Sequence, residues 1–129
     1  MRFLVTKTHG YIDYIAGSAI AASPWLFRFN KGGAETWIPL IVGGTGVAYS
    51  LLTNYEMGAA KKIPMRTHLM LDLVSGLLMA SSPWLLGFRK RSWQPHLLLG
   101  LFEAGASLVT KAEPRFSTNG HSRKTIVAH

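Results

Sequence analysis

Two histidines in this chain stand four residues ahead of an aspartate: His9 before Asp13, and His68 before Asp72. On a helix that spacing puts both members of a pair on one face, a turn apart. Two imidazoles and two carboxylates brought together can bind a divalent metal or relay protons. The same residues also have plainer uses. An aspartate near a helix start is stabilised by the helix dipole, it can lock two helices together, or the turn can sit exposed at a polar interface. A bis-histidine haem suits the pattern less well, because both histidines sit close to a helix entry. Glu103 is a lone carboxylate inside an otherwise uncharged stretch. It reads as an interhelical hydrogen bond or, as the sharper alternative, an intramembrane carboxylate with a functional role. His96, His121 and His129 look incidental. With no cysteine and no phosphate loop, Ser/His/Asp triad or zinc-helix motif, catalysis is not expected, and no cofactor is called for beyond a candidate divalent metal.

The elements that must position these groups come in duplicate. Ser23-Pro24-Trp25 recurs as Ser82-Pro83-Trp84, a shift of 59 positions. The same shift carries Thr8-His9 onto Thr67-His68, Asp13 onto Asp72, Gly17 onto Gly76, Leu26 onto Leu85 and Phe29 onto Phe88. After the tryptophan the shift becomes about 57, matching Gly43 with Gly100, Thr53 with Thr110 and Glu56 with Glu113. On that register Glu103 falls opposite Gly46. A self-match over most of the chain makes a single domain two-fold internally. The repeats run over about 8–56 and 67–113 within one domain of residues 1–111, followed by a polar tail, 112–129, expected to be mobile.

Charge patterning points to a membrane. The net charge is +8, yet Lys and Arg sit in short clusters between long uncharged runs, with no basic face for nucleic acid. Charge-free runs cover Tyr14 to Phe27, Thr36 to Tyr55 and Leu73 to Phe88, and Ser92 to Thr110 is broken only by Glu103. A spanning helix needs about twenty mainly apolar residues, which the second and fourth runs supply. The other two reach it only if the His/Asp turn dips into the bilayer. The expected helices are His9 to about Ala22, Thr36 to Thr53, His68 to about Ser81 and Trp93 to Thr110. Thr8 and Thr67 are the expected caps, and Arg89-Lys90-Arg91 is expected in a loop. The mean hydropathy of +0.18 is low for a membrane protein, lowered by the polar tail and the Gly, Ser and Thr content. A soluble four-helix bundle is the alternative, but it would need charged outer faces.

Orientation follows from the basic residues. Nine lie on the side of the termini and central linker, five (Arg28, Lys31, Arg89, Lys90 and Arg91) on the other. Short cytoplasmic segments are enriched in Lys and Arg, so both termini are expected inside, in a bacterial cytoplasmic membrane. Trp25, Trp37, Trp84 and Trp93 all flank the outer loops, as an aromatic belt would. In Ser-Pro-Trp itself, proline ends the helix, serine bonds back and tryptophan anchors at the headgroups.

The duplicated Thr-His-x3-Asp-x3-Gly-x5-Ser-Pro-Trp pattern, spread over roughly residues 6–110, resembles the SPW-repeat family of small integral membrane proteins. That resemblance implies a helical membrane protein and carries over no catalytic residues. The first copy departs from the second in having Phe27-Arg28-Phe29 where the other has Leu86-Gly87-Phe88. The expected architecture is all-α, a four-transmembrane-helix bundle of two tandem helical hairpins. Its leading expected role is that of a scaffold or interaction protein, with the lipid bilayer and a homo-oligomer or membrane-protein partner around it. The alternative is transporter-like or metal/proton handling through His9, Asp13, His68 and Asp72.

Overall fold

The structure, a computed structural model, describes residues 2–29 and 32–112. Four helices follow one another: α1 (Thr6–Leu26), α2 (Ala34–Leu52), α3 (Met65–Leu85) and α4 (Arg89–Val109). α1 packs chiefly on α2 and α3 on α4, so the two hairpins of the repeat are the two halves of the bundle. Glycine lets each pair close tightly. A Cβ on Gly43 would lie 2.4 Å from the backbone of Gly17 and Ala21, and one on Gly100 would lie 2.5 Å from that of Gly76 and Ala80. These contacts are equivalent under the repeat, and only a residue without a side chain permits them.

The halves are tied to each other at one end by short backbone bridges. Leu4 pairs with Thr110, just before α1 and just after α4. Ile63 pairs with Thr53 in the same way, just before α3 and just after α2. Lys111 N–H donates to Leu4 C=O at 2.8 Å, and Asn54 N–H to Ile63 C=O at 2.7 Å. The helix starts therefore differ from expectation. Extended Val5 and Pro64 occupy the cap positions without a side-chain cap, while Thr8 and Thr67 lie inside the helices. The bridging residues turn straight into helix, so α1 and α3 each begin two residues before the threonine.

The helix ends also differ. Pro24 and Pro83 lie within the last turn, and the helices run on to Leu26 and Leu85. Proline here removes one bond but does not stop the helix. Arg89-Lys90-Arg91 forms the first turn of α4 rather than a loop, followed by a kink at Ser92. The expectation of four individually apolar spans is not met. Among the described residues no helix is long and apolar enough to cross a membrane. The helices run 19 to 21 residues, so composition is what lowers them: serine, threonine, glycine and charged residues near the helix starts dilute them, with histidine as well in α1, α3 and α4. The expected tail, 112–129, lies outside the described residues apart from Ala112, as do His121 and His129.

Candidate metal centre

The start of α1 and the start of α3 lie at the same end of the bundle, and their inner faces bring the four sequence-predicted groups together. His9 Nε2 lies 2.9 Å from Asp13 Oδ1 and 2.9 Å from Asp72 Oδ2. His68 Nε2 lies 3.1 Å from Asp13 Oδ2 and 3.2 Å from Asp72 Oδ2. Each imidazole is thus shared between the carboxylate of its own repeat and that of the other. One ligand atom from each of the four residues falls within 4.8 Å of all the others. His9, His68 and Asp72 are buried, and the Asp13 carboxylate is nearly so.

Two threonines set the tautomers. Thr110 Oγ1 is 2.7 Å from His9 Nδ1, and Thr53 Oγ1 is 2.7 Å from His68 Nδ1. A hydroxyl has one proton to give. Thr110 donates its proton to Ala106 C=O and Thr53 donates to Tyr49 C=O, both at 2.6 Å. Each threonine must therefore accept from the imidazole, which places a proton on both Nδ1 atoms and turns both Nε2 atoms toward the carboxylates. His68 Nε2, though buried, makes no aligned hydrogen bond in that position. The pairing is reciprocal: the threonine that orients His9 belongs to the second repeat, and the one that orients His68 belongs to the first.

The carboxylates are oriented as well. Tyr49 Oη donates to Asp72 Oδ1, and Tyr55 Oη donates to Asp13 Oδ2 at 2.8 Å. Tyr55, in the linker beyond α2, is fully buried, and its burial, reinforced by the Asp13 carboxylate, pushes its phenol well above the ordinary range. It therefore keeps its proton and acts as a donor. The sequence pointed to none of these four supporting residues as part of a site. Thr53 and Thr110 were legible only as a matched pair of the repeat; Tyr49 and Tyr55 align with Ala106 and Ala112 and left no such trace.

Glu103 projects from α4 toward the same region. Ser75 Oγ donates to its Oε1 at 3.1 Å, which is the interhelical bond of the plainer reading, while the buried Oε2 has no partner. The serines of Ser-Pro-Trp bond back inside their own helices, Ser23 to Ile20 C=O and Ser82 to Met79 C=O, both at 2.7 Å. Trp25 and Trp84 are about half exposed at the opposite end. Ser-Pro-Trp thus stands apart from the His/Asp cluster. His96 is not incidental. It is fully buried between Phe29 and Phe88, with Nδ1 2.7 Å from Ser92 C=O and Nε2 3.0 Å from Glu35 C=O.

These features define a pseudo-symmetric bundle of two helical hairpins, sharing one buried His2Asp2 cluster at the end where the repeats meet. The model of the SPW repeat domain matches residues 7–110, and the chain belongs to that family. No curated protein and no solved structure matches it.

Proposed function

We propose that this is a small membrane-embedded protein that holds one divalent transition-metal ion between His9, Asp13, His68 and Asp72. The observation that carries the metal is the orientation of the imidazoles. With Nδ1 protonated and bonded to threonine, the atom each ring turns inward is the one that ligates metal, and a bonded second nitrogen is what ligating histidines ordinarily have. Four-coordinate zinc-like ions take such ligands at about 2.0–2.2 Å. That puts ligand atoms about 3.3 Å apart; the imidazole-to-carboxylate separations here are 2.9–3.2 Å, and one atom from each of the four residues lies within 4.8 Å of the others. A divalent ion with two carboxylates also leaves the buried cluster uncharged, which reduces the cost of keeping it out of water.

The membrane reading rests on the surface of the bundle. Its outward residues include Ile15 at 71 % exposure and Leu98 at 65 %, with Ile41, Leu77, Leu78 and Leu101 also exposed. Its interior holds the ionisable His9, His68, Asp72, His96 and Glu35 beside a small apolar core that includes Ile20, Met79 and Phe88. An apolar exterior around buried ionisable groups is unusual for a water-soluble bundle, and it suits lipid although each helix taken alone falls short in hydropathy. The count of basic residues supports a cytoplasmic side for the cluster end and both termini.

One reading competes. Two protonated imidazoles between two carboxylates would lock the repeats together without metal, as a scaffold would require. Elemental analysis of detergent-purified protein after zinc loading and washing decides between them. One equivalent bound by the wild type, and none by His9→Ala/His68→Ala, is expected. An empty wild type with strongly lowered thermal stability in Asp13→Asn and Asp72→Asn would establish the lock instead. Release from membranes by carbonate washing, without detergent, would sink the membrane reading.

A further inference from the structure

One of the positions at which the two repeats differ places a carboxylate beside the His/Asp cluster in one repeat and a glycine in the other. Glu103 in α4 corresponds to Gly46 in α2, and between them lies a cavity of about 20 Å³. Its lining includes His9, Asp13 and Asp72 on the cluster side and Gly46, Ser50 and Glu103 on the other. A water molecule needs about 10–15 Å³ of such volume and two or more polar partners, so the cavity is large enough for one and polar enough to hold it. Glu103 supplies the missing acceptor, because its Oε2 is buried without a partner while Ser75 occupies Oε1.

Resting on the metal reading above, we infer that this cavity holds a single water that binds the metal as a further ligand and donates to Glu103. The site is then hydrated and exchangeable, in the manner of metal sites that keep an open position, and is not a closed structural one. Glu103 is a positioning residue: it holds the water and does not ligate the metal. Gly46 provides the room. A Cβ at Gly46 would meet nothing nearer than Tyr49 Oη at 3.9 Å, so the space beside it is open and an added methyl group is accommodated without a clash.

Cobalt(II), added alone to the full chain in detergent, is the probe, since its visible absorption is strong when four-coordinate and several-fold weaker with a fifth ligand. The wild type is expected to show the weaker, five-coordinate spectrum. Gly46→Ala, which adds a methyl group at the cavity wall, and Glu103→Leu, which removes the acceptor, are expected to raise the absorption several-fold at unchanged cobalt stoichiometry. Glu103→Gln, whose amide oxygen still accepts, is expected to restore the wild-type spectrum. Stoichiometric cobalt with the same strong spectrum in the wild type and every variant would overturn the water while leaving the metal reading intact. Failure of the wild type to bind cobalt at all would overturn both.

Discussion

The two repeats build the same frame and furnish it differently. Each contributes a helix start with histidine and aspartate, a threonine at the end of its second helix, and a glycine notch where its two helices cross. Beyond that they diverge. The first repeat supplies both tyrosines that hold the carboxylates, Tyr49 and Tyr55, where the second has Ala106 and Ala112. The second supplies Glu103, where the first leaves the space of Gly46. Symmetry accounts for the four inward-facing groups, since duplicating one half-site makes a whole one. The asymmetric residues are what distinguish one side of that site from the other.

The largest effects should be symmetric. Gly43→Val and Gly100→Val each force a side chain into backbone at 2.4–2.5 Å. Either should cost about 3 kcal/mol or more, read as loss of the folded species in detergent. Equal losses keep the hairpins equivalent, and tolerance in one alone would break the comparison. Next, Thr53→Val and Thr110→Val remove the acceptor for an imidazole of the cluster. Each should weaken zinc binding by about 10–100-fold, and by similar factors, in competition titrations. A loss confined to one would show that the reciprocal pairing is not shared evenly.

Tyr49→Phe and Tyr55→Phe each remove a hydrogen bond to a carboxylate, worth about 1.5–3 kcal/mol. Thermal unfolding should register both, while Ala106→Ser and Ala112→Ser should be nearly silent. The smallest effect concerns the departure within the Ser-Pro-Trp loops. Arg28 has φ of 58° at the position where the second repeat has Gly87 with φ of 78°. A residue with a Cβ pays about 1–2 kcal/mol there, partly offset by glycine's greater freedom when unfolded. Arg28→Gly should therefore raise stability by about 0.5–1 kcal/mol, and Gly87→Arg should lower it by a similar amount.

Much of the frame could be read directly from the chain. The recurrence of Thr-His-x3-Asp-x3-Gly-x5-Ser-Pro-Trp foretold two hairpins, parallel α1 and α3, and His/Asp pairs at one depth. Local boundaries were harder to read. Thr8 and Thr67 have the right chemistry for caps, but the Leu4–Thr110 and Ile63–Thr53 bridges set where the helices begin, and these pair residues far apart in sequence. Pro24 and Pro83 look like terminators because proline disfavours helix interiors, yet the last turn tolerates them. His96 had no matching residue in the other repeat, and only its packing between Phe29 and Phe88 shows it to be buried.

The chain's own pattern settled which groups could meet, because a periodic arrangement of residue types is a local property that duplication preserves. Whether His9 reaches Asp72 as well as Asp13, which imidazole nitrogen turns inward, and that Gly46 leaves room beside Glu103 were settled by the fold alone. Those facts depend on angles and separations between segments far apart in the chain, as in the contact from His9 to Thr110. No spacing along a single chain encodes them.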